Sequence, residues 1–185
     1  MTAYLYSGVD PGWTGALGFL EDIEGQEVAE VHDMPVREQG NHKRVDRPRV
    51  KGIIRGYGDR RIVAAVERVG TRPKEDKDPI TGKKISRKEG AAGMVRFGQG
   101  QGEVLGVLEG EDAHIFEPPP AIWKMKCGLV GMSEREVCQL AAKLFPGLVF
   151  FGPKKGPLHG RAEAMFLAAF ARMMVEGREI HDRNR

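Results

Sequence analysis

The chain has 185 residues, and its composition, with 41% hydrophobic and 30% charged residues, is that of an ordinary soluble globular protein. This length supports one domain with a sizeable core. No apolar run reaches the roughly 18 residues that a transmembrane helix needs, and the sequence does not start with a charged signal-peptide segment. Cys127 and Cys138 lack C-x-x-C spacing, so neither a disulfide framework nor a zinc site is indicated. We therefore expect reduced core thiols in an intracellular protein that has no membrane partner.

Positive charge is concentrated in one segment, although the net charge of the whole chain is only +3. Residues 37–88 contain 17 Lys and Arg against 7 Asp and Glu, so the rest of the chain is net acidic. Such asymmetry suggests a local anionic partner such as nucleic acid. A solvated surface segment would have the same composition, and the charge alone leaves both interpretations open.

Residues 5–20 form an apolar stretch with a turn in its middle, which predicts a strand, a tight turn and a second strand. The first run ends on Asp10, after which Pro11 and Gly12 punctuate the turn. Asp10 is therefore expected at the carboxyl end of a buried strand, with its side chain at an exposed rim where it could act as a ligand. The alternative is that Asp10 only caps the turn, a role in which Asp is common.

The chain continues with a predicted turn at residues 21–25 and a third strand at residues 27–34, so three antiparallel strands come first. Asp46 can cap a helix that runs to about residue 57. Residues 61–66 are almost all apolar, as in a central strand covered on both faces. A crossover helix would place this strand beside the first strand and parallel to it.

This central strand is followed by Glu67, which repeats the arrangement at Asp10. Because neighbouring parallel strands end at the same edge of a sheet, we expect both carboxylates at that edge. A salt bridge from Glu67 to Arg68 or Arg61 is the alternative. Because Asp10 and Glu67 are both expected at one sheet edge, a functional role for the two carboxylates is favoured over a salt bridge.

Residues 91–109 predict a helix with an unusual glycine spacing. Glycine recurs every fourth residue, at Gly98, Gly102, Gly106 and Gly110. An interior glycine costs a helix roughly 1 kcal/mol relative to alanine, so the stripe implies close contact with another backbone. That backbone belongs either to the same subunit, where the sheet or an adjacent helix would supply it, or to a second subunit.

The remaining segments complete the predicted order of elements. Residues 70–90 are rich in charge, Pro and Gly and predict a long mobile loop. A fifth strand is predicted at residues 113–116, followed by a helix that begins near Pro120 and carries Trp123, which we expect in the core. A further helix over residues 133–145 begins with a Ser133-x-x-Glu136 capping box.

An alanine- and methionine-rich helix is predicted over residues 159–175. Its residues His159 and Glu163 are four positions apart, so in a helix their side chains lie on one face and can bind the same ion. Taken singly, each is typical of a helix start or of a solvated surface. Together with Asp10 and Glu67 they favour a metal site at the sheet edge.

The predicted order is β-β-β-α-β-α-β-α-α-α, with acids after the first strand, after the fourth strand and on the last helix. This order resembles the ribonuclease H-like fold, and within it the RuvC-type crossover junction endonucleases, particularly their small phage and bacterial branch. The resemblance implies one α/β nuclease domain over residues 1–176, with a five-stranded mixed sheet flanked by helices, and a polar tail over residues 177–185. The motifs that carry it are Gly8-Val9-Asp10-Pro11-Gly12, Val66-Glu67-Arg68-Val69, Met94-Val95-Arg96-Phe97-Gly98, Pro118-Pro119-Pro120-Ala121-Ile122-Trp123-Lys124, Leu144-Phe145-Pro146 and His159-Gly160-Arg161-Ala162-Glu163-Ala164.

The resemblance implies a homodimer that cuts four-way (Holliday) DNA junctions in the cytoplasm of a bacterium or a phage-infected cell. The implied reaction is metal-dependent phosphodiester hydrolysis, with Asp10, Glu67, His159 and Glu163 as the catalytic and metal-binding residues. Glu163 stands where Asp is common in the family, and His159 stands where relatives have Asp or His. The number of direct metal ligands is therefore left open.

This residue set also suits the chemistry. Two Mg²⁺ ions roughly 3.5–4 Å apart can activate a water on one side of a phosphate and stabilise the leaving oxygen on the other, and both prefer carboxylate ligands. Asp10 would bridge the ions, Glu67 and Glu163 would each hold one, and His159 would complete a shell or deprotonate the water. Mn²⁺ is expected to substitute, because imidazole suits softer metals. The candidate DNA contacts are Arg72, Lys74, Lys83, Lys84, Arg87, Lys88, Lys124, Lys154, Lys155 and Arg161.

Three alternative functions are compatible with parts of the sequence. A ribonuclease H acting on RNA–DNA hybrids would use the same chemistry. The Gly8-x-Asp10-x-Gly12-x-x-Gly15 pattern is similar to the first phosphate loop of actin, Hsp70 and sugar kinase ATPases, but 185 residues offer neither the duplicated domain nor the second loop. A non-catalytic DNA-binding module would explain the basic segment but not the four metal-type ligands.

Overall fold

The structure is a computed structural model that describes residues 4–40, 42–68, 73–77, 84–88 and 91–177. Its centre is a mixed five-stranded sheet, accompanied by two separate two-stranded sheets. The strands in chain order are β1 (Tyr4–Asp10), β2 (Ala16–Ile23), β3 (Gln26–Asp33), β4 (Val36–Gln39), β5 (His42–Val45), β6 (Arg61–Val66), β7 (Pro73–Lys77), β8 (Lys84–Lys88) and β9 (His114–Phe116). The helices are α1 (Arg47–Arg55), α2 (Ala91–Glu109), α3 (Pro120–Lys126), α4 (Glu134–Leu144) and α5 (His159–Glu176).

Strand β1 occupies the middle of the large sheet, whose strand order is β3-β2-β1-β6-β9. The first three strands are antiparallel neighbours, whereas β6 runs parallel to β1 and β9 runs parallel to β6. The register places Val9 beside Val66, so the carboxyl ends of β1 and β6 meet at one edge. The predicted five-stranded sheet, with its first three strands antiparallel, is confirmed.

Helices cover both faces of this sheet, which explains the nearly continuous apolar runs of β1 and β6. One face packs mainly against α5, with contributions from α3 and α4, around Trp123 and Phe166. The opposite face packs against α1 and α2 around Val50 and Leu108. Trp123 is fully buried, as predicted, and Cys127 and Cys138 are buried free thiols.

The last helix approaches the sheet at backbone distance because two facing strand residues are glycines. Gly8 and Gly18 lie directly opposite each other on β1 and β2. A Cβ atom on Gly8 would lie 2.0 Å from the carbonyl oxygen of Ala164, and one on Gly18 would lie 2.7 Å from the same atom. Larger residues would push α5 off the sheet, because a close-packed interior cannot absorb such overlaps. Gly8 and Gly18 thus determine the distance between α5 and the sheet. The first turn of α5 lies at the sheet edge.

The end of β2 differs from the prediction of a turn at residues 21–25. The strand continues to Ile23, and the turn consists of Glu24 and Gly25, whose φ angles are 54° and 83°. The reason is a tertiary contact: Glu21 is buried, and its Oε2 lies 2.5 Å from Nε of Arg60. A charged residue that suggested a turn therefore lies inside a strand.

Two hairpins were not predicted. The pair β4–β5 follows the sheet strand β3, and β7–β8 lies within residues 70–90, so the prediction of a continuous loop there is wrong for the described residues. Neither hairpin has the apolar alternation that identifies a half-buried strand. The helix α1 begins after Asp46 as predicted, with Asp46 Oδ1 accepting a hydrogen bond from the Arg49 N–H (3.3 Å), but it ends at Arg55.

Three glycines of the α2 stripe have no close backbone neighbour in the part of the chain that the structure describes. Nothing there lies within 4 Å of a Cβ placed on Gly98, Gly102 or Gly106, so the described sheet and helices do not supply the predicted intrasubunit contact. The close approach occurs instead at Gly100, where a Cβ would lie 2.8 Å from the carbonyl oxygen of Pro11. This contact brings α2 against the turn that follows β1.

The helix α5 ends at Glu176 and is capped by Gly177, which has the left-handed conformation. Beyond Gly177, the predicted tail lies outside the described residues. In the part of the chain that the structure describes, no helix is both long and apolar enough to cross a membrane.

Candidate active site

Asp10 and Glu67 end adjacent parallel strands at the same edge of the sheet, as predicted. Asp10 is the last residue of β1, and its Oδ1 accepts a hydrogen bond from the Gly12 N–H (3.3 Å). Glu67 directly follows β6, and its N–H donates to the carbonyl oxygen of Val9 (3.0 Å), which extends the parallel ladder by one residue. Both residues are half-buried.

The first turn of α5 lies over Asp10. A Cβ atom on Gly160 would be 3.0 Å from Asp10 Oδ2 and 2.6 Å from the carbonyl oxygen of Thr14, so this turn packs directly on the β1–β2 connection. One turn of helix brings His159 and Glu163 together, with 3.5 Å between His159 Nε2 and Glu163 Oε1. Glu163 is one of few buried charged residues among those described, whereas the His159 side chain keeps 27% of its surface exposed.

Lys124, which the sequence suggests as a DNA contact, is paired with a carboxylate in the structure. Its ammonium group forms an ion pair with Glu163 Oε1, and its side chain is three-quarters buried. Helix α3 presents Lys124 to α5 because Trp123, the preceding residue, is fixed in the core. The two residues are 39 positions apart, so no local sequence pattern indicates the contact.

The carboxylates at this edge interact electrostatically. Burial raises the pKa of Asp10 to about 7, and the negative charges of Glu163 and Glu67 add to the rise. The Gly12 N–H and the Lys124 ammonium group partly offset it. Glu163 of α5, Glu67 after β6 and Lys124 of α3 are therefore all near enough to Asp10 to affect its charge.

The donor chemistry of this site suits a hard divalent cation, because partly buried carboxylate oxygens are the ligands that Mg²⁺ prefers. Within the described residues, no three His, Cys, Asp or Glu side chains lie close enough together to hold a metal ion. Lys124 instead supplies the positive charge that Glu163 requires. Because the negative charges of Glu163 and Glu67 both act on Asp10, a second cation beside Asp10 would be favourable.

The other predicted DNA contacts belong to several different elements. Lys154 and Lys155 are exposed on the loop before α5. Arg161 instead forms a bidentate ion pair with Asp33, at 2.5 and 2.7 Å, and also donates to the carbonyl oxygen of Val149. Lys74 belongs to β7, and β8 contains Lys84, Arg87 and Lys88. Arg72 and Lys83 lie outside the described residues.

Comparison with known proteins identifies the fold. No family model and no curated protein sequence matches the chain. A structure of T. thermophilus RuvC in complex with Holliday junction substrate matches with a TM-score of 0.54 and 15% identity, covering 95% of this chain and 97% of that one. A second Thermus thermophilus RuvC structure gives a TM-score of 0.57 and 17% identity, with coverages of 94% and 96%. The likeness shows that the chain has the ribonuclease H-like fold in the form found in RuvC, as its motifs predicted.

Proposed function

We propose that this protein is a structure-selective DNA endonuclease that resolves four-way junctions by metal-dependent phosphodiester hydrolysis as a homodimer. The observation that supports this function is the placement of Asp10, Glu67 and the His159–Glu163 pair at one sheet edge in a RuvC-like fold. One structure with this fold was solved with a Holliday junction substrate. The basic residues between positions 37 and 88 supply the positive charge that an anionic substrate requires.

Asp10, Glu67 and Glu163 are the residues that would hold Mg²⁺, after moving closer together than they lie in this structure, where Lys124 pairs with Glu163. The ion when bound would supply Lewis-acid activation of the phosphate and the attacking water. His159 is next to Glu163 and partly exposed, so its imidazole can accept a proton from a water at the site or complete the ligand set. Lys124 neutralises Glu163 and offers a cation to the substrate phosphate when Glu163 takes another partner.

The exposed face of α2 supports the homodimer. Gly98, Gly102 and Gly106 are exposed there, and the neighbouring Val95 and Phe97 have 67% and 39% of their surface exposed. A twofold interface uses the same patch on both subunits, and glycines allow two helix backbones to approach closely. Two sites related by this axis would make the two symmetric cuts that resolve a four-way junction.

The test is cleavage of a substrate panel with Mg²⁺: a four-way junction, a linear duplex, a flap and an RNA–DNA hybrid. We expect paired, symmetric cuts in the junction and much slower cutting of the linear duplex. Preferential cutting of the hybrid would indicate a ribonuclease H, and binding without any cutting would indicate a non-catalytic module. Light scattering at micromolar concentration should give a dimer, and a monomer that nicks junction and duplex equally would indicate a general nuclease.

A further inference from the structure

The hairpin β4–β5 starts at the sheet edge that carries Asp10. Its base is closed by a hydrogen bond from the Asp46 N–H to the Pro35 carbonyl oxygen (2.8 Å). The residue before Pro35, Met34, donates its N–H to the carbonyl oxygen of Gly15 (2.9 Å). Gly15 in turn lies against Asp10, because a Cβ on Gly15 would be 2.1 Å from the Asp10 carbonyl oxygen. The base of the hairpin is therefore tied to the backbone of the candidate active site.

A second contact ties the hairpin to helix α2. The Glu103 side chain, 11% exposed, accepts hydrogen bonds from Nη1 of Arg44 (2.8 Å) and from the Val45 N–H (3.0 Å). Val45 is itself fully buried. The carboxylate of Glu103 thus binds both a side chain and the backbone of β5, which holds the hairpin against α2.

The charge of the hairpin is only partly neutralised inside the protein. Arg37 on β4 lies directly opposite Arg44 on β5, a cross-strand pair of like charges that is unfavourable without a counterion. Glu103 is the counterion of Arg44. Arg37 is exposed, and among the described residues it makes no ion pair, so its guanidinium faces solvent on a fixed strand. Arg47 and Arg49 are also exposed just beyond the hairpin.

We propose that the β4–β5 hairpin is a phosphate-binding arm in which Arg37 contacts the backbone of a DNA arm beside the cleaved strand and Glu103 holds the hairpin in place. This inference rests on the proposed function, since it assigns a substrate contact to the same site. A guanidinium group presents parallel N–H donors that match a phosphate, and such contacts position DNA without reading its sequence. The β4–β5 hairpin therefore contributes to recognition of the phosphate backbone of the branched DNA.

The test compares Arg37→Gln with Arg61→Gln, a matched control at the amino end of β6, on the opposite edge of the sheet, where Arg61 is also exposed. Binding to a four-way junction and to a linear duplex is measured in EDTA over a range of salt concentrations. We expect Arg37→Gln to reduce the slope of log affinity against log salt by about 0.9 for the junction, and Arg61→Gln to leave it unchanged. Arg37→Lys should retain most of the slope.

If the wild-type protein binds and cuts the junction but Arg37→Gln leaves the salt dependence of binding unchanged, the phosphate-binding role of the β4–β5 hairpin is contradicted. The proposed function would then still stand. Equal losses in Arg37→Gln and Arg61→Gln would also contradict the role of the hairpin, because the effect would then reflect net charge. A wild-type protein that binds neither the four-way junction nor the linear duplex would contradict both proposals.

Discussion

Gly160 packs directly against Asp10, with room for a hydrogen atom but not for a methyl group. A Cβ on Gly160 would lie 3.0 Å from Asp10 Oδ2 and 2.8 Å from the Cα of Gly15. The contact fixes the distance between the end of β1 and the first turn of α5. It therefore also fixes His159 and Glu163 relative to Asp10.

Gly160→Ala should consequently disrupt the site with a limited effect on the fold. We expect about 1–3 kcal/mol of destabilisation from overpacking and roughly a 100-fold loss of junction cleavage, because small displacements of reacting groups are costly. Gly156→Ala is the control, since a Cβ there would meet nothing within 4 Å among the described atoms. Thermal unfolding and cleavage rates measure both effects. Normal cleavage by Gly160→Ala would show that α5 adjusts freely over Asp10.

Asp10 should make the metal-free protein less stable at neutral pH. Its pKa is about 7 in the folded state and near 4 when unfolded, so the folded state binds more protons between these values and stability falls as the pH rises through this window. Asp10→Asn removes this effect. In EDTA the variant should exceed wild type by about 2–4 kcal/mol above pH 7, with the gap closing towards pH 4. A pH-independent gap in denaturant unfolding would contradict the burial of Asp10.

Lys124 should stabilise the metal-free site through Glu163. Lys124→Met leaves a buried carboxylate without its cation, which should cost about 1–3 kcal/mol in EDTA given the remaining exposure of Lys124. Added Mg²⁺ should then stabilise the variant more than it stabilises wild type. Lys126→Met, an exposed lysine on the same helix, is the control and should behave as wild type. Equal Mg²⁺ responses in all three proteins would contradict the role of Lys124 as the resident cation.

The sequence predicted the parts of the site that depend on local pattern. Asp10 and Glu67 each lie at the end of an apolar run, and His159 and Glu163 have helical spacing, so their positions follow from two parallel strands and one docked helix. The Lys124–Glu163 and Arg161–Asp33 ion pairs could not be predicted, because each joins residues that only tertiary packing brings together. The β4–β5 hairpin was missed because its polar strands are held by Glu103 of α2 and carry no apolar alternation.

His159 should influence the choice of metal if it is a direct ligand. Imidazole binds Mn²⁺ better than Mg²⁺, so wild type should cleave with Mn²⁺ at least as fast as with Mg²⁺, and His159→Asp should shift the ratio towards Mg²⁺. A constant ratio with an altered pH–rate profile would instead assign His159 to proton transfer. Normal rates under all conditions would show that His159 only begins the helix.

The proposed metal-dependent nuclease centre at Asp10 is tested most directly by comparing wild type, Asp10→Asn and Glu67→Gln on one four-way junction with Mg²⁺. Cleavage should fall by at least about 100-fold in both variants, while junction affinity stays within a few-fold because phosphate contacts provide most of the binding energy. Substantial Mg²⁺-dependent cleavage by both variants would contradict the assignment of the metal site to this edge of the sheet.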